Sequence, residues 1–431
     1  MTKGSLRYAL ALLFFANFLS YFDRQIVSVL QTDLESAFSM TREQFGYLVT
    51  AFTLGYMVFA PIVGFLTDRY KRTRLFAVCI FLWSLATIGS GLAGHTGSKA
   101  FLYATRFFIG IGEAGCLVIG PTLLSDYFSR EVRGKALSAF FLALPLGGAA
   151  GYLLGAELAA RFNWQNAFYC AGAPGFLVAA LVWALVDPPR GGTEKGPSPD
   201  PHAPTGPLPK GIRPYLDLLR NRTLLFIILA QTFAVIFLQP LLHFGVEYFE
   251  VKYGFSKQVA ARTLGTIAVI AGAAGSMLSG FLADRLAKRT RGAYALLSGI
   301  AFAASLPFLL TGFLVKDKMI ALPAIGLGAF CYFLCMPAVN THIANIVSPQ
   351  QRAMAFGLAV FVLHLLGDMA APPVFGRIAD ATGSTEKTFI GFSFSLLFAS
   401  ACCLIAARYA PREGKPPPPT DSSHPAPSPP G

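Results

Sequence analysis

"GFLTDRYKRTR", Gly64 to Arg74, recurs as "GFLADRLAKRTR", Gly280 to Arg291, so that Gly64, Asp68 and Arg69 align with Gly280, Asp284 and Arg285 at an offset of 216 residues, with one residue inserted afterwards. Each copy follows an apolar run and precedes another, and two runs later "SREVRGKAL" is echoed by "SPQQRAMAF", aligning Arg133 with Arg352. A repeat of this length and order makes the chain two similar halves with the same orientation. That plan suits a protein that rocks about a site between its halves.

The surrounding composition says what kind of halves these are. Of 431 residues, 54% are hydrophobic and only 13% charged, against about a quarter charged in ordinary soluble domains. A helix needs about 20 mostly apolar residues to cross a hydrocarbon core of about 30 Å. Twelve such runs are expected at residues 6 to 32, 45 to 67, 74 to 94, 99 to 127, 134 to 160, 166 to 186, 222 to 250, 258 to 283, 292 to 314, 319 to 347, 352 to 379 and 387 to 409. The fold class is therefore an all-α membrane protein: an N-terminal six-helix bundle over 1–186, a cytoplasmic linker over 187–219, a C-terminal six-helix bundle over 220–409 and a disordered cytoplasmic tail over 410–431. The linker and tail read so because both are rich in Pro and polar residues.

The formal charge of +13 does not indicate nucleic acid. Its Lys and Arg cluster in every second loop, at Arg69, Lys71, Arg72 and Arg74, at Arg130, Arg133 and Lys135, and at Arg285, Lys288, Arg289 and Arg291, which is the positive-inside pattern and puts both termini in the cytoplasm. The first run is a retained span, because it continues past Asp23 and Arg24 to Leu30 with no small-x-small cleavage site. The seven cysteines all lie in or beside apolar runs without CxxC or histidine at ligand spacing, which implies neither a metal nor a disulfide. Phosphate loops and nucleophile motifs are also missing, so no enzyme and no cofactor is expected.

The loop carrying Asp68 and Arg69 resembles the signature of the major facilitator superfamily, with Lys71 where that signature has Gly. "YFDRQ" (Tyr21 to Gln25), "RFFIGIGEAG" (Arg106 to Gly115) and "HLLGDMAAP" (His364 to Pro372) together resemble its Spinster transporters. The resemblance implies a lysophospholipid or sphingosine-phosphate-like amphiphile as substrate, with proton coupling. It also implies a conformational latch at Gly64, Asp68, Arg69, Arg133, Asp284 and Arg285, where charge pairs and helix ends stabilise the outward-facing state.

Charges inside spans cost about 2.5 to 3.5 kcal/mol each on insertion scales and are candidates for function. Arg106 and Glu113, seven apart, share a face of the fourth span, and Gly110, Gly112 and Gly115 leave room beside the carboxylate. Glu113 is a candidate proton-coupling carboxylate, the alternative being a permanent pair with Arg106 or Arg24. In the first span Asn17, Tyr21 or Ser20, Arg24 and Ser28 form a polar stripe. Asp23 is turned about 100° from it and is either a second proton-coupling group or a structural partner. Arg24 and Arg106 suit a phosphate, with Asn17, Tyr21, His364 and Asp368 as further substrate-binding candidates; a fixed network of Asp23, Arg24, Arg106 and Glu113 is the plainer reading. His364 and Asp368, at i and i+4, equally fit a structural pair. Gln239, His243 and Glu247 form another stripe, toward the outer end, where Glu247 either is a gate or, as the plainer expectation, faces water.

The function these residues support is secondary active transport of an amphipathic lipid by alternating access, coupled to protons. A proton-coupled antiporter for drugs or organic anions is the alternative, and a non-transporting lipid sensor the alternative of a different class. Expected partners are the substrate, protons and the bilayer, without nucleic acid. A monomer in a bacterial inner membrane is the expected state.

Overall fold

A computed structural model describes residues 3–189, 213–290, 292–347 and 352–410, with the side chains at 3, 4, 68, 130, 131, 133–135, 138, 213–215, 280, 284, 344, 345, 352 and 353 outside the description. The first bundle comprises α1 (Lys3–Val29), α2 (Gln31–Phe38), α3 (Arg42–Arg69), α4 (Arg72–Thr96), α5 (Lys99–Tyr127), α6 (Arg130–Arg161) and α7 (Trp164–Trp183). After α8 (Arg213–Leu219) come α9 (Arg222–Tyr253), α10 (Lys257–Ala287), α11 (Ala293–Leu314), α12 (Lys318–Ile346), α13 (Arg352–Leu363), a π-turn at His364–Asp368, α14 (Ala371–Thr382), α15 (Thr385–Ser393) and α16 (Ser395–Tyr409). Among the described residues, twelve segments are long and apolar enough to cross a membrane. No strand occurs among the described residues.

The repeat is visible in the packing. α3 lies on α5, α4 on α5 and α4 on α7, and the same pairings recur as α10 on α12, α11 on α12 and α11 on α16. Without a hydrophobic drive between helices in lipid, small residues bring backbones close. A Cβ at Gly151 of α6 would lie 2.6 Å from the Phe22 carbonyl of α1, so α6 can approach α1 this closely only with glycine there.

The ends of the spans remote from the termini, called the far end below, are closed by compact caps. Thr41 and Gln44 form a capping box at the start of α3. Ser98, Asn163, Ser256 and Ser384 each accept a hydrogen bond from a backbone N–H of the following turn, while Gly97, Gly254 and Gly383 end helices in the left-handed conformation that glycine adopts without strain.

Three sequence expectations need correction. The first span does not run to residue 32: α1 stops at Val29, and the chain turns at Leu30 into the amphipathic α2, whose Leu34 and Phe38 are buried. The linker is not wholly irregular, since Arg213–Leu219 forms α8 and Leu218 is buried against the core; residues 190–212 and the tail from 411 lie outside the described residues. The eleventh span is not one helix. Met369 N–H donates to the His364 carbonyl, closing a π-turn, and Pro372 and Pro373 cannot donate to the carbonyls a turn back. Thr50 of α3 fills that vacancy by donating to the Met369 carbonyl at 2.6 Å, so the break in one bundle becomes a bond to the other.

Candidate functional site

In the first bundle, Ser20 and Arg24 lie one turn apart on α1 and face α5. Glu113, fully buried, accepts from Arg24 Nε at 2.6 Å and from Ser20 Oγ at 2.9 Å through the same oxygen, Oε2. Asp23, one position back and so on another face, accepts from Thr87 Oγ1 of α4 at 2.5 Å. Glu113 Oε1 and Asp23 Oδ1 are buried without a partner.

Arg106 is 2% exposed, and its Nε and Nη1, like Arg24 Nη2, have no acceptor among the described residues. Glu113 pairs with Arg24, and no ion pair of Arg106 occurs among the described residues. The Arg24 guanidinium carbon lies 4.9 Å from the Tyr21 ring centroid and 5.0 Å from those of Phe52 and Tyr56, and Arg106 lies 5.2 Å from that of Phe52.

Glycines bring α5 against α4 beside Glu113. A Cβ at Gly112 would lie 2.6 Å from the Cys79 carbonyl of α4, and one at Gly115 would lie 2.8 Å from Cys79 Cβ. Bulk at either position would push α4 from α5.

Asn17 does not join this cluster. Its Nδ2 donates to the Phe140 carbonyl of α6 at 3.0 Å and the residue is fully buried, so it ties α1 to α6, while its Oδ1 has no partner among the described residues. Asn17 and Arg24, seven residues apart, share a face of α1, but two turns of rise set them about 10 Å apart along its axis, so they meet different neighbours, α6 and α5.

The second bundle supplies a facing group. His364 Nδ1 bonds Asp368 Oδ2 across the π-turn, and Gln239 Nε2 of α9 donates to Asp368 Oδ1 at 2.7 Å. The Tyr56 ring is 6.0 Å from the His364 ring. A line of contacts therefore runs from Glu113 through Arg24 and Tyr56 to His364 and Asp368, crossing between bundles.

Closer to the far end a second polar network joins the halves. Glu247 is 4% exposed, which corrects the expectation that it faces water: it accepts from Arg42 Nη2 at 2.5 Å, from Arg42 Nε at 2.9 Å and from Gln31 Nε2 at 2.9 Å. Arg42 Nη1 lies 3.4 Å from Asp380, Arg377 pairs with Glu43 at 2.9 Å, and Lys257 with Asp33 at 2.5 Å. His243 shares a 2.7 Å hydrogen bond with Ser28. Gln31 also donates to Glu35 at 2.9 Å, and burial beside Glu247 pushes the Glu35 carboxyl up to about 7 against the opposing Gln31 bond.

Of the latch candidates, Gly64 is half-buried, Arg69 is exposed over the Phe65 ring and Arg285 is exposed; the side chains of Asp68, Arg133 and Asp284 lie outside the described residues. Sequence reasoning missed a neighbour of this motif. Arg72, counted as a loop charge, is 4% exposed and donates to Asp187 at 3.1 Å, to the Pro188 carbonyl at 2.7 Å and to Asp126. It also missed Phe52 and Tyr56, whose one signal is their i, i+4 spacing in "FTLGY".

The family model described as Major Facilitator Superfamily matches residues 13–372. The chain belongs to the major facilitator superfamily. Among superfamily relatives, Protein spinster of Drosophila melanogaster is 30% identical over 387 residues, covering 87% of this chain and 62% of the fly protein. The Danio rerio protein named Sphingosine-1-phosphate transporter SPNS2 is 28% identical, covering 90% of this chain and 80% of its own. A crystal structure of a bacterial homologue of the human lysosomal transporter Spinster, inward-facing and unoccupied, superposes with a TM-score of 0.83 at 22% identity, covering 95% of this chain and 98% of that one. This superfamily member is thus a multi-pass transporter resembling Spinster proteins, with the corresponding fold of two six-helix bundles.

Proposed function

We propose that this superfamily member moves a single-chain amphiphile with a phosphate-bearing headgroup, such as a lysophospholipid or sphingosine phosphate, in exchange or in company with protons. The observation that carries the reading is the imbalance around Glu113: Arg24 and Arg106 both lie over the Phe52 ring, one carboxylate oxygen bonds Arg24, and Arg106 Nε and Nη1 and Arg24 Nη2 have no acceptor among the described residues. Buried donors without acceptors are rare and costly, and a phosphate supplies several strong acceptors to a guanidinium fork. The similarity to SPNS2 supports the same ligand chemistry.

A proton on Glu113 would remove the charge that holds Arg24 and free its fork for the headgroup. Protonation of Glu113 would then raise the affinity for the headgroup and the headgroup the affinity for the proton, and that reciprocity is coupling. Asp23, held by Thr87, would be the second titratable group, and His364 with Asp368 the facing group that senses the headgroup across Tyr56. With both termini cytoplasmic, as the basic loops suggest, the far-end network is the outer gate and is closed in this conformation. Arg69, Arg285 and the aspartates preceding them would engage when the cytoplasmic side closes. A bacterial inner membrane and a monomer complete the reading.

The test is flux in liposomes of a labelled lysophospholipid and of a cationic dye, with and without a pH gradient, for the parent and Glu113→Gln. Gradient-dependent lysophospholipid flux that loses its gradient dependence in the variant is expected. Dye flux alone would favour a drug antiporter, and an unchanged gradient response in Glu113→Gln would remove the coupling role.

A further inference from the structure

Phe52 has no role in the proton and headgroup assignments above, yet its ring is the surface that both arginines share. Arg24 lies 5.0 Å and Arg106 5.2 Å from its centroid, with the ring itself 9% exposed. Arg106 is buried and Arg24 keeps only 20% side-chain exposure, and like charges beside one ring repel. One carboxylate oxygen on Arg24 offsets only part of that, because Arg106 has no direct acidic partner among the described residues. The negative face of an aromatic ring attracts a guanidinium, more strongly when water is excluded. A ring in contact with both arginines therefore lowers the energy of holding them together.

Geometry adds a reason for this position. Phe52 sits on α3 where Gly110 lets α5 come against the Phe52 backbone, since a Cβ at Gly110 would lie 2.8 Å from Tyr56 N and 3.0 Å from the Phe52 carbonyl carbon. The α3 backbone is thus fixed against α5, which carries Arg106, while Tyr56, one turn on, touches Arg24 on one side and His364 on the other. Phe52 cannot drift without the helix moving.

We infer that Phe52 is a positioning residue that holds Arg24 and Arg106 side by side through its ring face, so that one phosphate headgroup is gripped by both. This rests on the headgroup reading above and adds to it the residue that makes the grip bidentate across two helices. A leucine of similar size fills the space but offers no ring face. A phosphorylated amphiphile therefore loses affinity when the ring is removed, whereas an uncharged amphiphile that uses only the apolar lining does not.

The experiment measures binding of a lysophosphatidate and of the monoacylglycerol with the same chain to the full-length protein in nanodiscs. Phe52→Leu is expected to weaken the lysophosphatidate about tenfold or more and the monoacylglycerol by less than about twofold, and Phe52→Trp to keep the parent preference, since Trp offers the better ring face. Progressively fluorinated phenylalanine at position 52 keeps the shape while draining the ring's negative face, and the phosphate preference is expected to fall with each fluorine. Equal losses for both ligands in Phe52→Leu, or a flat fluorination series, overturns the inference. Arg106→Ala separates the two readings: if it leaves the phosphate preference intact, the headgroup reading itself fails; if it abolishes the preference while the fluorination series stays flat, only the role of Phe52 fails.

Discussion

Replacing Arg42 by Ala should open the far end. In the closed conformation Glu247 is buried, with 5% of its side chain exposed, and both of its oxygens are bonded, Oε1 twice by Arg42 and Oε2 by Gln31. Arg42→Ala leaves a carboxylate in the interface with one neutral donor. Removing one partner of a buried pair costs about 3 to 5 kcal/mol; Arg42 retains 30% side-chain exposure, so the lower bound of about 3 kcal/mol is appropriate. In the open conformation water reaches Glu247 and the penalty disappears, so the closed population falls by roughly 150-fold relative to the open one.

The assay is a pulsed electron resonance distance distribution between spin labels at His95→Cys and Lys316→Cys, two exposed positions at the far end of opposite bundles, with Cys170 and Cys331 replaced by Ala. A longer distance is expected to dominate in Arg42→Ala. Adding Glu247→Gln removes the stranded charge and should restore much of the short distance, since deleting both partners leaves only lost hydrogen bonds of about 1 kcal/mol each. An unchanged distribution in Arg42→Ala refutes the reasoning, and so does a double variant more open than the single one.

The same labels report on pH. Burial in the closed form pushes the Glu35 carboxyl up to about 7, so the closed form binds this proton more tightly than an opened form in which the carboxyl is hydrated and keeps its ordinary value near 4.5. Closure is therefore penalised above about pH 7 and the penalty is relieved as pH falls toward 4.5, so acid is expected to shorten the distances and Glu35→Gln to flatten that response; a variant as pH-sensitive as the parent would exclude Glu35 as the source. Asn17→Ala deletes the bond between α1 and the Phe140 carbonyl and leaves that acceptor buried, which should lower thermal stability by about 1 to 3 kcal/mol while the ratio of affinities for phosphorylated and unphosphorylated amphiphile stays at the parent value. A changed ratio would return Asn17 to the binding site.

What the sequence could reveal follows from which forces act locally. A bilayer demands long apolar helices, so the spans, the repeat at Gly64 and Gly280 and the two-bundle plan are written as periodicity and can be read without partners. Charges such as Asp23, Arg24, Arg106 and Glu113 stand out against that background for the same reason, and the 100° rotation between neighbouring helical residues separates Asp23 from Arg24 onto Thr87 and Glu113. Pairing is different. Arg24 and Glu113 are 89 residues apart, Arg42 and Glu247 are 205 apart, and one chain's helical spacing says nothing about which distant face arrives opposite. Glu247 was expected in water because it lies near a span end, but that end is where the bundles meet, and Arg42 and Gln31 come from the other half. Phe52 was hidden by abundance: among 39 phenylalanines, nothing local marks the one that lies against two arginines. Arg106 Nε and Nη1, Arg24 Nη2, Glu113 Oε1 and Asp23 Oδ1 are buried without a partner among the described residues, and no local pattern in α1 or α5 shows which atoms packing leaves so.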